Sequence, residues 1–246
     1  MSSSLSAIIL AAGKGTRMKS DLPKVLHKVL GKTMISRVID QAKLAGARKI
    51  VVVVGYKKDM VIESLKDTDV DFAIQEEQLG TAHAVQQCEP FLQNLNGNIL
   101  ILSGDVPLLT GETLLKLIAC HSKNHADATL LTAVLDNPHG YGRIIRNADD
   151  TLKDIVEEKD ADEDIRKIKE INAGIYIFKK ELLFSYLKHV DNKNAQGEYY
   201  LPDVLPLMVR DNRKIYLQKA EQSEEIQGVN TVEQLKLAEE KLKRIL

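Results

Sequence analysis

The first half of the chain alternates short apolar runs with longer amphipathic ones, and this pattern restricts the fold more than any other feature. Ser6-Ala7-Ile8-Ile9-Leu10-Ala11, Lys49 to Val54, Val70 to Gln75 and Asn98 to Leu102 read as buried strands. Thr33 to Gly46, Lys58 to Lys66, Thr81 to Glu89 and Glu112 to His121 read as the helices that follow them. In the first helix Met34, Ile35, Val38, Ile39, Ala42 and Leu44 form one apolar face, and Gly46 is placed to end it. Such alternation implies right-handed crossovers and a mostly parallel sheet covered by helices on both faces. Ligands of open α/β sheets bind beyond the carboxyl ends of the strands, which directs attention to the residues after Leu10, Val54, Gln75 and Leu102.

From Ala128 the pattern changes. Thr129 to Leu135, Gly142 to Arg146, Thr151 to Glu157 and Glu170 to Phe178 read as strands separated by short polar turns, which predicts antiparallel pairing in a smaller lobe on the same core. Helices over Lys180 to His189 and near Tyr200 to Val209, a strand over Lys214 to Gln218 and a Lys/Glu-rich helix over Val232 to Leu246 complete the chain. Leu235, Ala238, Leu242, Ile245 and Leu246 give that last helix an apolar stripe, expected to pack back on its own domain, with a missing second domain or a neighbouring subunit as the alternative. The expected class is α/β: a Rossmann-like, mostly parallel central sheet flanked by helices, with a smaller antiparallel lobe. A length of 246 residues suits one such unit.

Charge and cysteine content narrow the partners. With 34 Lys+Arg against 35 Asp+Glu, the chain lacks the global basic field of a sequence-independent nucleic-acid binder, so no nucleic-acid partner is expected and any phosphate recognition must come from local clustering. Cys88 and Cys120 are too few for a disulfide framework. No run approaches the ~20 apolar residues of a membrane helix, and Met1 to Ser4 carries no positive side chain ahead of the short apolar run, so neither a membrane nor export is expected. A cytoplasmic protein is the expectation.

The most informative segment is Leu10-Ala11-Ala12-Gly13-Lys14-Gly15-Thr16-Arg17-Met18, followed by Leu22-Pro23-Lys24. Two glycines one residue apart let consecutive amides point outward as a nest for phosphate oxygens, with Arg17 adding a bidentate fork and Lys24 a second charge. The plainer alternative is a glycine turn carrying exposed basic residues. A dinucleotide fingerprint fails because Met18 stands where a third glycine is needed and Gly55-Tyr56 where an acid is needed; a Walker A loop ending at Gly31-Lys32-Thr33 fails at Leu26. Ser103-Gly104-Asp105-Val106-Pro107 presents a carboxylate past an apolar strand, suited to Mg²⁺ or simply to a turn. Gln75 to Thr81 could read a base edge, or Thr81 could cap the next helix; Asn230 could cap the final helix or offer its amide oxygen to a metal. Glu157 to Asp164 reads as a solvated acidic loop in which Glu157 faces inward, and His121 and His125 read as solvent-facing helix residues. No Gly-x-Ser-x-Gly elbow or marked cysteine offers a covalent nucleophile.

These segments, with Gly140-Tyr141-Gly142-Arg143, Ile171-Asn172-Ala173-Gly174, Asn194 to Tyr200 and Gly228-Val229-Asn230, occur in an order that spans nearly the whole chain. The set resembles the N-terminal uridylyltransferase domain of the bacterial bifunctional N-acetylglucosamine-1-phosphate uridylyltransferase/glucosamine-1-phosphate acetyltransferase family. The first motif alone marks only sugar nucleotidyltransferases in general. The resemblance implies that Leu10, Ala11, Ala12, Gly13, Lys24, Gln75, Gly80, Thr81, Ser103, Gly104 and Asp105 hold the nucleotide. It implies that Gly142, Glu157, Asn172 and Asn230 contact the sugar, that Asp105 and Asn230 bind Mg²⁺, and that Arg17 and Lys24 neutralise the triphosphate. Ser103 stands where some relatives carry a bulkier residue, a mild departure. The implied partners are UTP and N-acetylglucosamine 1-phosphate, and the implied products are UDP-N-acetylglucosamine, a cell-envelope precursor, and pyrophosphate. Another sugar 1-phosphate, dTTP or a non-catalytic sensor are the alternatives. By the same resemblance residues 1–127 serve mainly the nucleotide, 128–228 mainly the sugar, and 229–246 form a metal-ligand turn and exit helix. The family's β-helical acetyltransferase domain has no counterpart, which puts its trimer in doubt.

Overall fold

A computed structural model describes residues 4–245, the side chain of Ile245 excepted. The first half runs β1 (Leu5–Ala11), β2 (Lys28–Val29), β3 (Lys32–Thr33), α1 (Met34–Leu44), β4 (Lys49–Val54), α2 (Lys58–Ser64), β5 (Asp71–Ile74), α3 (Thr81–Gln86), α4 (Glu89–Leu92), β6 (Asn98–Ser103) and α5 (Gly111–Lys123). The second runs β7 (Ala128–Val134), β8 (Arg143–Arg146), β9 (Leu152–Val156), α6 (Glu163–Arg166), β10 (Glu170–Lys179), α7 (Lys180–Leu187), α8 (Val204–Arg210), β11 (Ile215–Lys219) and α9 (Val232–Ile245).

The expected α/β class holds. One nine-stranded sheet has the order β11-β7-β10-β6-β1-β4-β5, with β8 and β9 branching from β10. β1, β4, β5 and β6 are mutually parallel, whereas β10 runs antiparallel to both β6 and β7. The antiparallel part is thus welded into the central sheet through β10 and projects from it only as the β8–β9 hairpin. Side chains alternate across each strand, so Ala7 and Ile9 of β1 enter one core layer with the α1 face, while Ile8 enters the layer under α3, α7 and α8.

Several elements depart from the sequence reading for local reasons. The stretch from Thr81 to Glu89 does not form one helix: α3 ends at Gln86 and Pro90 opens the short α4, where a proline's missing N–H costs nothing. The acidic run is not wholly loop, because Asp162 caps a single turn, accepting from the Asp164 and Ile165 amides. His121 is buried at 3% exposure rather than solvent-facing: its Nδ1 pairs with Thr129 Oγ1 at 2.9 Å, and burial pushes its pKa down to about 4. α9 returns to the fold start as expected, packing Leu235, Ala238 and Leu242 with Val29, Met34 and Leu108; the remaining stripe members, the Ile245 side chain and Leu246, lie outside the described residues.

Candidate active site

A cleft of about 470 Å³ opens at the carboxyl ends of β1 and β6, where Leu10, Ser103, Asp105, Glu157, Asn172 and Asn230 line it. The sheet places these groups by simple means. Gly104, just past β6, donates its N–H to Leu10 O at 2.9 Å, and a β-carbon there would stand 3.2 Å from that same oxygen. The strand ends therefore close together and Asp105 emerges into the cleft. Gly15 has φ 60, and a β-carbon on it would lie 2.6 Å from Lys24 Cβ, so the loop after β1 can fold over Lys24 only with glycine there.

Lys24 Nζ pairs with Asp105 Oδ2 and donates to Asn230 Oδ1 at 3.0 Å; Arg17 Nη2 donates to the same Asn230 oxygen at 2.9 Å. Asn230 is held from both sides. Val229 N–H donates to Asp105 O at 2.9 Å, and Asn230 N–H to Gln234 Oε1 at 2.7 Å. Gln234 N–H in turn donates to Thr231 Oγ1 at 3.2 Å, so Thr231 caps α9 in a reciprocal box and the Asn230 amide oxygen stays with the cluster. A carboxylate oxygen and a carboxamide oxygen thus converge on one cation, here the Lys24 ammonium. Mg²⁺ favours such oxygen donors and needs only one or two from protein, so the residues present fit it.

The other side of the cleft is acidic. Burial, with Asp203 and Asp160 nearby, pushes Glu157 up to about 7 against the opposing pull of Arg143. Burial and the carboxylates of Asp154, Asp191 and Asp160 likewise push Asp203 up to about 6. Gly142 faces Glu157 so closely that a β-carbon would lie 2.7 Å from Oε1. β10 changes register between Asn172 and Tyr176, and Gly174 adopts φ 70 within that bulge. The bulge is pinned by Gly174 N–H donating to Asn172 Oδ1 at 2.9 Å and Asn172 Nδ2 donating to Tyr176 Oη at 2.7 Å.

Beyond β5, Gln75 is buried and its Nε2 lies 3.0 Å from both Gly80 O and His83 Nδ1. Thr81 does not cap α3; its hydroxyl accepts the Leu201 N–H at 2.9 Å. Gly80 sits against the Tyr199 backbone, flanked by Tyr199 N–H to Leu79 O at 2.8 Å and Ala82 N–H to Tyr199 O at 2.9 Å. The sequence-derived set therefore falls into two tiers. Leu10, Arg17, Thr81, Ser103, Asp105, Gly142, Glu157, Asn172 and Asn230 line the cleft, while Ala11 at the end of β1, Lys24 in a short helical turn, and Ala12, Gly13, Gln75, Gly80 and Gly104 in loops frame it.

A family model described as "Nucleotidyl transferase" matches residues 6–224. The chain belongs to this nucleotidyl transferase family. It is 51% identical over 224 residues to the bifunctional protein GlmU of Geobacillus sp. strain WCH70, covering 91% of this chain and 49% of the relative. It is 48% identical over 238 residues to the GlmU of Streptococcus sanguinis strain SK36, covering 97% and 52%. The chain thus spans about half the length of the curated relatives it matches, and the resemblance read from its motifs stands. A solved UDP-glucose pyrophosphorylase complexed with UDP-glucose superposes over 100% of both chains with a TM-score of 0.76 at 18% identity, which shows a common fold.

Three groups of this nucleotidyl transferase escaped the sequence reading. Asp203 reaches the acidic wall from the turn before α8, Tyr176 holds Asn172, and His83 holds Gln75. His83 alone had a local signal, standing one turn into a helix whose preceding loop was already suspect.

Proposed function

We propose that the chain transfers the uridylyl group of UTP to N-acetylglucosamine 1-phosphate, releasing pyrophosphate and giving UDP-N-acetylglucosamine. One observation carries this reading: a single cleft joins a cationic, oxygen-rich end, made by Arg17, Lys24, Asp105 and Asn230, to a wall where Glu157 and Asn172 offer hydrogen-bonding groups to a polyol. The identity to GlmU relatives supports the same assignment.

The chemistry asks little covalent work of the protein. The phosphate oxygen of the sugar attacks the α-phosphorus of UTP in line, its P–O bond forms, and the bond to pyrophosphate breaks. That nucleophile is already an anion, so no general base is needed. Two repelling anions must be positioned and the charge on the leaving group neutralised, tasks that Arg17 and Lys24 perform from the loop after β1. Asp105 and Asn230 would hold Mg²⁺, which when bound supplies Lewis-acid polarisation of the phosphates. Leu10 to Gly13, Gln75, Gly80, Thr81, Ser103 and Gly104 serve the nucleotide, whereas Gly142, Glu157 and Asn172, with Asn230, serve the sugar. Residues 1–127 thus act mainly on UTP and 128–228 mainly on the sugar, with 229–246 closing the metal end. No helix among the described residues is long and apolar enough to cross a membrane, and we place the reaction in the cytoplasm, where UTP is found.

The test is incubation with Mg²⁺, UTP or dTTP, and a panel of sugar 1-phosphates while following pyrophosphate release. Release only with UTP and N-acetylglucosamine 1-phosphate is expected. Preference for another pair would move the specificity; no release with any pair would leave a binding protein.

A further inference from the structure

Arg143 is 1% exposed, the largest of the fully buried side chains, and it lies outside the cleft. A buried guanidinium is costly unless its donors are placed, and this one is held by three separate segments. Its Nη1 donates to Tyr141 O, while Nη2 donates to Glu158 Oε2 at 2.7 Å and reaches Arg166 O at 3.4 Å. Nε has no acceptor among the described residues. Glu158 completes the frame by accepting the Gly140 N–H at 3.2 Å and lying 3.3 Å from His139 Nδ1.

The frame adjoins the acidic wall on both strands. Glu157 and Glu158 follow β9 consecutively, and Glu157 lines the cleft while Glu158 pairs with Arg143. Gly142, the neighbour of Arg143, accepts the Asn172 N–H on its carbonyl at 2.9 Å. Arg143 therefore fixes the relative placement of three cleft residues from behind, and touches none of the Lys24 cluster.

We propose that the Arg143–Glu158 pair is a positioning device for the sugar end of the cleft, setting the geometry of Gly142, Glu157 and Asn172 without contacting substrate. This rests on the assignment of that end to the sugar 1-phosphate. Lysine could not replace Arg143, because one ammonium cannot span Tyr141, Glu158 and Arg166 in a fixed fork.

Arg143→Lys and the nearly isosteric Glu158→Gln test this by steady-state kinetics and by calorimetric binding of N-acetylglucosamine 1-phosphate and of UTP separately. Both variants are expected to raise KM and Kd for the sugar 1-phosphate by about tenfold or more, the scale of one displaced charge-assisted hydrogen bond, with UTP values moving less than about twofold. Equal shifts for both ligands, no shift in folded protein, or failure of both variants to fold would overturn the positioning role. Wild-type protein that binds UTP but no sugar 1-phosphate would instead overturn the assignment beneath it.

Discussion

At the residue scale, the cluster at Asp105 assigns distinct consequences to neighbouring side chains. Asp105→Ala removes the only carboxylate among the described residues that Lys24 pairs with, and is expected to abolish pyrophosphate release; near-native turnover at ordinary Mg²⁺ would remove the metal role. Arg17→Ala leaves the Lys24 contacts in place and is expected to lower kcat by roughly 10²–10³, the usual loss for one preorganised electrostatic donor. Glu157 makes a different kind of prediction. Its pKa of about 7 in the fold lies above an ordinary glutamate's 4.5, so between these values the folded state binds more protons than the unfolded one. Stability contributed through this group falls as pH rises across that window, and the penalty is complete above it. Glu157→Gln should therefore raise Tm at about pH 8, have little effect near pH 4, and weaken sugar binding; an equal Tm change at both pH values would remove the titration as its cause. Most of the cleft lining was legible because short glycine-containing loops at strand ends, such as Gly13-Lys14-Gly15 and Gly104-Asp105, are local signals. Asp203 and Tyr176 were not legible, since their placement depends on a turn and a bulge that only tertiary packing sets.

At the element scale, the parallel half was readable because fully apolar strands and an amphipathic α1 each admit one burial. The second half was less so. Its strands alternate weakly, and nothing local says that β10 must insert between β7 and β6, pairing with both. The loop that joins α3 to the 199–201 segment offers a direct test. Gly80 has φ 115, and a β-carbon there would lie 2.5 Å from Tyr199 O, against backbone that has no room to yield. Gly80→Ala is expected to cost about 1–3 kcal/mol in denaturant unfolding and to free the 199–201 segment from Leu79 and Thr81, seen as faster amide exchange there. A stability loss with exchange unchanged would place the strain elsewhere.

At the scale of the whole molecule, residues 1–127 and 128–246 contribute strands to one hydrogen-bonded sheet. β6 lies between β1 and β10, and Ile99 to Leu102 are buried at 1% exposure or less. Leu100 and Leu102 share a core layer with Leu131, Ala133, Ile171, Ile175 and Ile177 from the second half; Ile99 and Ile101 share the other with Leu130, Tyr176 and Phe178. Cutting after residue 127 would turn β6 into a bare apolar edge and strip both layers, a template for aggregation rather than a smaller domain. Residues 1–127 alone are therefore expected to be insoluble or to lack cooperative unfolding, and 128–246 likewise, although each would carry most of one substrate's contacts under the proposed function. Circular dichroism and sedimentation of the two fragments measure this. A monomeric, cooperatively folded 1–127 fragment that binds UTP would show that the nucleotide half is a domain in its own right, and that β10 joins a sheet already complete.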